Sequence, residues 1–371
     1  MKTIKRLLFI SLLILGISIN LFSQNKNWVA LPQEVNNPVH VLDTFKGELI
    51  AGGWFSQAGQ LKVGSIASWN GSKWNNLGGR GGISLVTSVL SMGSDLYVAG
   101  YFDSGCKVAT RNIAKWDGMN WSALGRGTNG EVNTMALYNN ENLIAGHFDS
   151  ADGKRVIRIA KWDGTTWQPL GAGINRNSIR QICEYKNKLY AVGLFDSTGH
   201  IPCNNIARWD GITWDSVSRG FISDHSAMIV WENKLLISSA PKSNIPVNDT
   251  DEARQLDGVQ LSTFSKLERT NIKKFLIFNK DLYCAGDQAT PPSKWNSSIG
   301  QWEKIGTGPN QSVLALAEYK GELYCVGSFT TLEKSNLNFI GRLSEVNEVH
   351  SVNEKPVIEL YPNPFKNLLS I

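Results

Sequence analysis

Residues 158–173 read RIAKWDGTTWQPLGAG, and this stretch decides the fold because related copies of it recur along the chain. Trp162 and Trp167 flank an Asp-Gly pair. Asp-Gly between two short apolar runs favours a β-hairpin, since glycine accepts the positive φ angle that a tight hairpin turn requires. An aromatic pair beside a carboxylate would also suit a sugar platform or part of an active site. Repetition favours the hairpin, because a ligand site does not need to be copied around a whole fold.

The tryptophan pair keeps one spacing in four copies. Two tryptophans five residues apart enclose Asp-Gly or Asn-Gly at Trp69/Trp74, Trp116/Trp121, Trp162/Trp167 and Trp209/Trp214. The element decays to Leu256 and Leu261 in a fifth copy, and it lengthens to Trp295 and Trp302 in a sixth. The pairs are therefore predicted to be structural and to pack between repeated units.

A Gly-x-Phe landmark marks the same repeat. It begins at Gly53, Gly100, Gly146, Gly193 and Gly327, and Gly286 marks a copy that lacks the phenylalanine. The first four lie 46 or 47 residues apart, and one double interval places a missing landmark at Ser239, which makes seven repeats. Each repeat has four apolar runs of strand length separated by Gly, Asn and Asp turns, which predicts four antiparallel strands.

The two ends of the repeat array complement each other. The seventh copy keeps Ile340–Leu343 but lacks the W-x-x-L piece, and Trp28–Leu31 is such a piece ahead of the first full copy. Four-stranded units completed by an N-terminal strand are typical of a β-propeller. We therefore predict an all-β fold, a seven-bladed β-propeller of four-stranded antiparallel blades over residues 24–345, closed by Trp28–Leu31. An open β-solenoid is the alternative, but it would need capping ends.

The N-terminus has the organisation of a secretory signal peptide. A basic segment at residues 2–6 precedes the apolar run Leu7–Ile19, whose 13 residues are too few for a bilayer that needs about 20. Cleavage is predicted after Ser23, so that residues 1–23 are the leader. An uncleaved anchor is the alternative. No integral membrane span is expected after cleavage.

Charge and cysteine content narrow the functional classes. The 37 basic and 32 acidic residues include no basic block, so nucleic-acid binding lacks an electrostatic footprint. Five cysteines are an odd set and not a dense disulfide framework. Cys284 and Cys325 lie in strand-like runs and are predicted to be small buried residues. A bridge between Cys183 and Cys203 is an alternative, because connectivity does not follow from sequence.

The repeat resembles that of kelch-like and galactose-oxidase-type propellers. It is more similar still to the G-x-F…N-x-I-A-x-W-D-G…W-x-x-L-G propeller repeat of secreted bacterial proteins and fungal cortical cell-polarity markers. The resemblance covers about residues 27–345 and is specific for the fold. It implies little about function.

A second resemblance lies at the C-terminus, after a predicted polar linker at residues 346–356. Residues 357–371 are similar to the opening of the type A C-terminal sorting domain of type IX secretion in Bacteroidetes. The matching residues are Tyr361, Pro362, Asn363, Pro364 and Phe365. Such domains are normally longer, so a truncated domain is expected here. The resemblance implies the type IX secretion machinery as a partner and an extracellular or outer-cell-surface location; a proline-rich tail without a role is the alternative.

Candidate binding residues are sought where the repeats differ. The middle position of Gly-x-Phe varies, and its candidate members are Trp54, Tyr101, His147 and Asp287. The loops between repeats are predicted to share that face, and they contribute Arg80, Arg126, Arg176 and Arg219. Asp103, Asp149 and Asp196 recur in Phe-Asp-Ser segments of the same face. A ring of Arg and Asp could bind a polar ligand or a cation, but turn capping is the favoured role for the aspartates.

The sequence lacks enzyme signatures. The five histidines have no metal-ligand spacing, and residues 149–154 lack the ligands of a calcium loop. No nucleophile elbow, phosphate-binding loop, sialidase Asp-box or galactose-oxidase copper set can be assembled. We therefore expect a secreted, non-catalytic propeller that binds a glycan or a protein, with no cofactor and no metal. A secreted carbohydrate-active or oxidative propeller enzyme is the alternative, by analogy of fold. The degenerate fifth repeat, residues 237–258, is a further candidate partner site.

Overall fold

A computed structural model describes most of the repeat region. The described residues are 26–77, 82–103, 108–203, 205–217, 227–238, 251–258, 260–267, 271–287, 290–333 and 335–345. Residues 26–344 form one compact unit, and the remaining unit contributes only Glu345 to the described residues. The predicted signal peptide, linker and sorting segment lie outside them. No helix of the described residues is long and apolar enough to cross a membrane.

The described residues form strands joined by turns. The first are β1 (Lys26–Ala30), β2 (Val39–Phe45), β3 (Glu48–Gly53), β4 (Gln57–Ala58), β5 (Leu61–Lys62), β6 (Ile66–Trp69), β7 (Trp74–Asn76), β8 (Leu85–Met92), β9 (Asp95–Tyr101) and β10 (Ile113–Trp116). Next come β11 (Trp121–Ala123), β12 (Glu131–Tyr138), β13 (Glu141–His147), β14 (Ser150–Ala151), β15 (Lys154–Arg155), β16 (Ile159–Trp162), β17 (Trp167–Pro169), β18 (Ile174–Asn175) and β19 (Ser178–Tyr185). They are followed by β20 (Lys188–Leu194), β21 (Ser197–Thr198), β22 (Ile201–Pro202), β23 (Ile206–Trp209), β24 (Trp214–Ser216), β25 (Met228–Trp231), β26 (Lys234–Ser238), β27 (Asp251–Leu256) and β28 (Leu261–Leu267). The last are β29 (Ile272–Phe278), β30 (Asp281–Gly286), β31 (Ser293–Asn296), β32 (Gln301–Lys304), β33 (Val313–Tyr319), β34 (Glu322–Gly327), β35 (Thr331–Leu332), β36 (Ser335–Asn336) and β37 (Ile340–Glu345).

Within the described residues, 28 of these strands form seven four-stranded sheets, here numbered 1 to 7 in chain order, and the other nine form three two-stranded sheets and one three-stranded sheet. Sheets 1 to 3 have the orders β2-β3-β6-β7, β8-β9-β10-β11 and β12-β13-β16-β17. Sheets 4 to 6 have the orders β19-β20-β23-β24, β25-β26-β27-β28 and β29-β30-β31-β32. Sheet 7 has the order β33-β34-β37-β1, so the N-terminal strand is its outermost member. The all-β fold of four-stranded sheets that the repeats predict is therefore present.

The hairpin around Asp163 shows why the tryptophan motif recurs. Trp162 and Trp167 are paired directly, with ring centroids 5.0 Å apart. Gly164 has a φ of +100° and Thr165 does not have a positive φ, as in a type II′ turn. Hydrogen bonds from the Gln168 amide and from the backbone N–H groups of Thr166 and Thr165 lower the pKa of the Asp163 carboxyl. The carboxylate therefore caps the turn.

The second tryptophan of each hairpin ties its sheet to the preceding one. Trp167 is fully buried, and its indole Nε1–H donates to the Leu124 carbonyl at 3.0 Å. The same indole donation runs from Trp74 to Gln33, from Trp121 to Leu77 and from Trp214 to Leu170. A buried indole needs an acceptor, and the end of the neighbouring outer strand supplies it. The tryptophans therefore lie between sheets.

The N-terminal strand follows the same rule. β1 spans Lys26–Ala30, which differs by a residue or two from the predicted Trp28–Leu31. Trp28 is 1% exposed, and its indole donates to the Ile305 carbonyl of sheet 6 at 3.2 Å. Its backbone N–H donates to Oε2 of Glu333 at 2.9 Å. Trp28 thus links sheet 7 to the preceding sheet by the same indole hydrogen bond that the hairpin tryptophans form in other sheets.

Glu333 makes this contact pH-dependent. Burial raises the pKa of its carboxyl, and the hydrogen bond from Trp28 offsets this only in part. Its Oε1 is buried without a hydrogen-bond partner in the described part of the chain. Because the folded-state pKa lies above the ordinary value of 4.5, the folded chain binds the proton more tightly than the unfolded chain. The resulting stabilisation is fully present below pH 4.5 and is lost as the pH rises through the folded-state pKa.

We expect the Tm of the native chain to rise relative to that of a Glu333→Gln variant as the pH falls from neutral towards 4.5. The substitution removes this one titrating group, so subtracting the two Tm curves cancels the pH dependence that the chains share. Thermal unfolding of both chains across this range measures the effect. A difference that is the same at every pH would contradict it.

The first strand of each four-stranded sheet contacts the first strand of the next sheet, and these first strands are here called the innermost strands. The contacting pairs are β2/β8, β8/β12, β12/β19, β19/β25, β25/β29, β29/β33 and β33/β2. A tyrosine that ends an innermost strand donates to a carbonyl of the next sheet, from Tyr138 to Asn187, from Tyr185 to Asn233 and from Tyr319 to Gly47. A lysine that follows this strand donates to the next outer hairpin, from Lys46 to Asp117, from Lys186 to Asp257 and from Lys320 to Asn70. Sheet 7 therefore contacts sheet 1 through the interactions that join consecutive sheets.

Candidate functional site

The variable position of Gly-x-Phe lies at the end of the second strand of its sheet: Tyr101 and His147 are the last residues of β9 and β13, and Trp54 directly follows β3. Trp54 and Tyr101 are 66% and 60% exposed, and His147 is exposed as well. The phenylalanine that follows is buried in each case, at Phe55, Phe102 and Phe148. The landmark therefore anchors one ring in the core and presents the preceding side chain to solvent. These ends of the second strands, with the loops that precede the first strands, are here called the loop face.

A bulge in the first strand accounts for the glycine of the landmark. In sheet 3 the pairing of β12 with β13 shifts register between Val132 and Thr134, which leaves Asn133 as the extra residue. A Cβ on Gly146 would overlap the carbonyl oxygen of Glu131 and lie 2.8 Å from the Asn133 backbone nitrogen. Only glycine fits against the bulged strand at this point.

The bulged position is a candidate that sequence reasoning missed. Register shifts at equivalent places in the described strand pairs single out His40, Thr87, Asn133, Arg180, Lys273 and Leu314. Bulges commonly re-aim a side chain, and here the side chain differs in every copy. Thr87 and Asn133 donate to the Val132 and Ile179 carbonyls of the next sheet, at 2.5 and 2.8 Å. The only hint in the sequence was that the residue type at this position differs from repeat to repeat.

The charged candidates are partly paired with one another. The Arg176 guanidinium lies 2.9 Å from Oδ2 of Asp196. Lys273 lies 3.2 Å from Oδ2 of Asp287, the candidate from the sixth repeat. The Arg126 guanidinium donates to the Asp152 carbonyl at 3.1 Å. Arg80 and Arg219 lie outside the described residues.

Loop-face asparagines form a second recurring element. Oδ1 of Asn36 accepts the backbone N–H groups of Ser56 and Gln57, both at 3.0 Å. Asn129 does the same for Asp149 and Ser150, and Asn310 does so for Thr330 and Thr331. Asp149 also accepts from the Asn129 amide at 2.5 Å. Asn129 therefore holds both the backbone N–H and the carboxylate of Asp149 in the loop.

Two charged groups lie deeper, on innermost strands. Lys274 follows the bulge of β29, and burial lowers the pKa of its ammonium group, with a smaller opposing effect of Asp43 on β2. Burial also lowers the pKa of His40. In both groups, burial disfavours the charged form of the side chain.

The cysteines of the described residues are free thiols. Burial raises the pKa of Cys183 and of Cys203 to about 11, with a smaller contribution of Glu184 at Cys183. Burial also raises the pKa of Cys284 and Cys325. A protonated thiol is a poor nucleophile. The described residues contain no cluster of three or more His, Cys, Asp or Glu side chains that could hold a metal ion.

A groove opens on the loop face between sheets 1 and 7, and we call it the seam groove. Its volume is about 660 Å³. It is lined by Leu31, Pro32, Gln33, Glu34, Val35, Asn36, Gln57, Gly59, Gln60, Thr330, Asn338 and Phe339. The Asn338 amide donates to Oε2 of Glu34 across it. The groove joins chain segments about 300 residues apart.

The fold is that of β-propeller proteins. The chain is similar to the extracellular domain of a putative one-component system from B. thetaiotaomicron, with a TM-score of 0.59 and 11% identity over 86% of this chain. It spans 40% of that domain's length. It is also similar to the WD40 β-propeller domain of Doa1, with a TM-score of 0.57, 11% identity and coverage of 86% of this chain and 98% of that one.

A third similar structure is YCF48 bound to D1 peptide, with a TM-score of 0.55, 13% identity and coverage of 87% of this chain and 96% of that one. No protein-family model matches the chain, and no curated protein sequence matches it. At these identities the similarity extends to the fold alone.

Proposed function

We propose that the chain is an extracellular, non-catalytic binding module built as a closed, seven-bladed β-propeller with kelch-like repeats. The exposed aromatic side chains of Trp54 and Tyr101, at equivalent positions on the loop face, carry the proposal. Tryptophan and tyrosine are enriched among the residues that contribute most to binding. The ligand is a glycan or a protein.

The closed ring is supported by the contacts at its ends. Tyr319 and Lys320 of sheet 7 donate to Gly47 and Asn70 of sheet 1, as their counterparts do between consecutive sheets. Trp28 completes sheet 7 and bonds to sheet 6. Each of the seven sheets is then one blade, and closure leaves no exposed sheet edge at the ends of the array.

Export is part of the proposal. Residues 1–23 act as a signal peptide, and residues 357–371, after the linker at 346–356, belong to a type IX sorting domain that is read by the secretion machinery. The similarity to an extracellular domain from B. thetaiotaomicron supports an extracellular location. The mature chain is then secreted or held at the outer cell surface.

The proposed binding surface combines the variable side chains with the loop arginines. Trp54, Tyr101 and His147 provide aromatic contact area, and Asp287 contributes a carboxylate beside Lys273. Its arginines are Arg80, Arg126, Arg176 and Arg219. Large aromatic surfaces among a few polar groups suit the recognition of a sugar ring or of a protein segment.

A Trp54→Ala, Tyr101→Ala double variant is expected to bind the ligand at least about 30-fold more weakly, since central aromatic residues typically contribute 2 kcal/mol or more to binding. The purified chain is screened for retention and turnover on polysaccharides and for capture of proteins from the cell surface. Met119→Ala is the matched control, because Met119 is 82% exposed in an outer hairpin turn, away from the loop face. Equal loss of binding in the control would contradict the assignment. Turnover of a polysaccharide would instead favour the enzyme.

A further inference from the structure

We propose that the seam groove binds an uncharged carbohydrate chain and contacts its hydroxyl groups through side-chain amides. The inference rests on the proposed binding function. It names the ligand class and assigns it to a site distinct from Trp54 and Tyr101.

The first argument is the number of free amide groups in the groove. Among the described residues, the Gln60 side chain makes no hydrogen bond, and Nε2 of Gln33, Oε1 of Gln57 and Oδ1 of Asn338 have no protein partner. An amide side chain offers two donor hydrogens and a carbonyl oxygen that accepts. A sugar hydroxyl both donates and accepts, so such amides satisfy it whichever way it is turned.

The second argument is that the backbone of the groove is already paired. The Gly59 N–H donates to the Glu34 carbonyl at 2.8 Å, and the Asn36 N–H donates to the Gln57 carbonyl at 3.2 Å. A peptide that adds as a strand needs an edge with free N–H and C=O groups. These two segments use those groups on each other, so recognition falls to the side chains, which favours a carbohydrate over an extended peptide.

The third argument is charge. Glu34 is the single ionisable side chain among the lining residues, and neither lysine nor arginine lines the groove. An anionic ligand would therefore meet a carboxylate without a compensating cation. One carboxylate is also too little to hold a metal ion. Pro32 and the partly exposed Phe339 supply apolar surface among the amides, as is usual in small-ligand sites.

The test measures binding of the full chain, at low and high salt, to three soluble neutral polysaccharides, a β-glucan, a xylan and a mannan, and to one acidic polysaccharide, a polygalacturonate. The Gln57→Ala, Gln60→Ala double variant is expected to bind the retained polysaccharide about 10-fold more weakly, since it removes two amide groups worth about one neutral hydrogen bond each. Both side chains are exposed, so the fold should persist, and an unchanged Tm checks this. Gln301→Ala removes another exposed glutamine, from the outer strand of sheet 6, and should bind as the native chain does.

The outcomes separate the two proposals. Retention that survives Gln57→Ala, Gln60→Ala but is lost in Trp54→Ala, Tyr101→Ala overturns the seam groove and leaves the binding function standing. If the chain binds a protein but none of the polysaccharides, the seam-groove proposal is likewise overturned and the binding function stands. Preference for an acidic polysaccharide, weakened by salt, overturns the uncharged ligand. A chain that binds neither polysaccharides nor proteins overturns both proposals.

Discussion

Replacing Trp28 with alanine is expected to lower the free energy of unfolding by about 3–5 kcal/mol, as for other large-to-small substitutions of buried aromatic side chains. Trp28 is 1% exposed and packs in the core of sheet 7 with Leu316 and Phe329. The substitution leaves a cavity and removes the indole hydrogen bond to the Ile305 carbonyl. The lost packing and the lost hydrogen bond both belong to β1, the strand that completes sheet 7.

Urea unfolding followed by tryptophan fluorescence measures this effect, with the midpoint and the slope fitted together. Trp54→Ala is the matched control, because it removes the same side chain from a position that is 66% exposed. A cost of no more than about 0.5 kcal/mol is expected there, as for most surface substitutions. If the two variants were equally stable, β1 would not hold the ring, and the proposed closure would fail.

The repeats made the sheets predictable because the same physical requirement recurs in each. Trp162 and Trp167 keep their spacing since one indole must reach the carbonyl of the neighbouring sheet and the turn between them must close. Trp28 could be placed as an outer strand because the seventh repeat lacks that piece. Because the same local pattern recurs in each repeat, the arrangement of the sheets could be predicted from the sequence.

The loop face was predicted less completely. Trp54 and Tyr101 could be named as candidates because variation at a fixed position is visible in a single sequence, and both side chains are exposed. The short hairpin of β14 and β15 was missed, since two-residue strands show no alternation. The bulge at Asn133 was missed because register is a property of two strands together.

The seam groove could not be predicted at all. Gln33 and Gln57 meet Asn338 there only because the two ends of the array meet. No local pattern links residues about 300 positions apart, and the amides that line the groove are ordinary loop residues in sequence. Contacts that arise from the arrangement of whole sheets require the structure.

Replacing Gly146 with alanine is expected to cost about 3 kcal/mol, the upper end of the usual range for overpacking a well-packed site. The added methyl group would overlap the Glu131 carbonyl and lie 2.9 Å from the Val132 Cα. Both neighbours are backbone atoms of the bulged strand, so rotation of a side chain cannot relieve the overlap. The chain must shift β12 against β13, which separates the pairs that hold the innermost strand.

The control for Gly146→Ala is Gly341→Ala, in β37. A methyl group there would lie 3.3 Å from Sγ of Cys325 and 3.7 Å from side-chain carbons of Leu337 and Trp28. Those contacts are with side chains, and Gly341 does not have a positive φ, so we expect a change of less than about 1 kcal/mol. The stability losses of the two variants are compared through their urea unfolding midpoints. A large loss only for Gly146→Ala would mean that the glycine of Gly-x-Phe is kept by the bulge beside it; equal losses would mean that glycine is required in these strands for another reason.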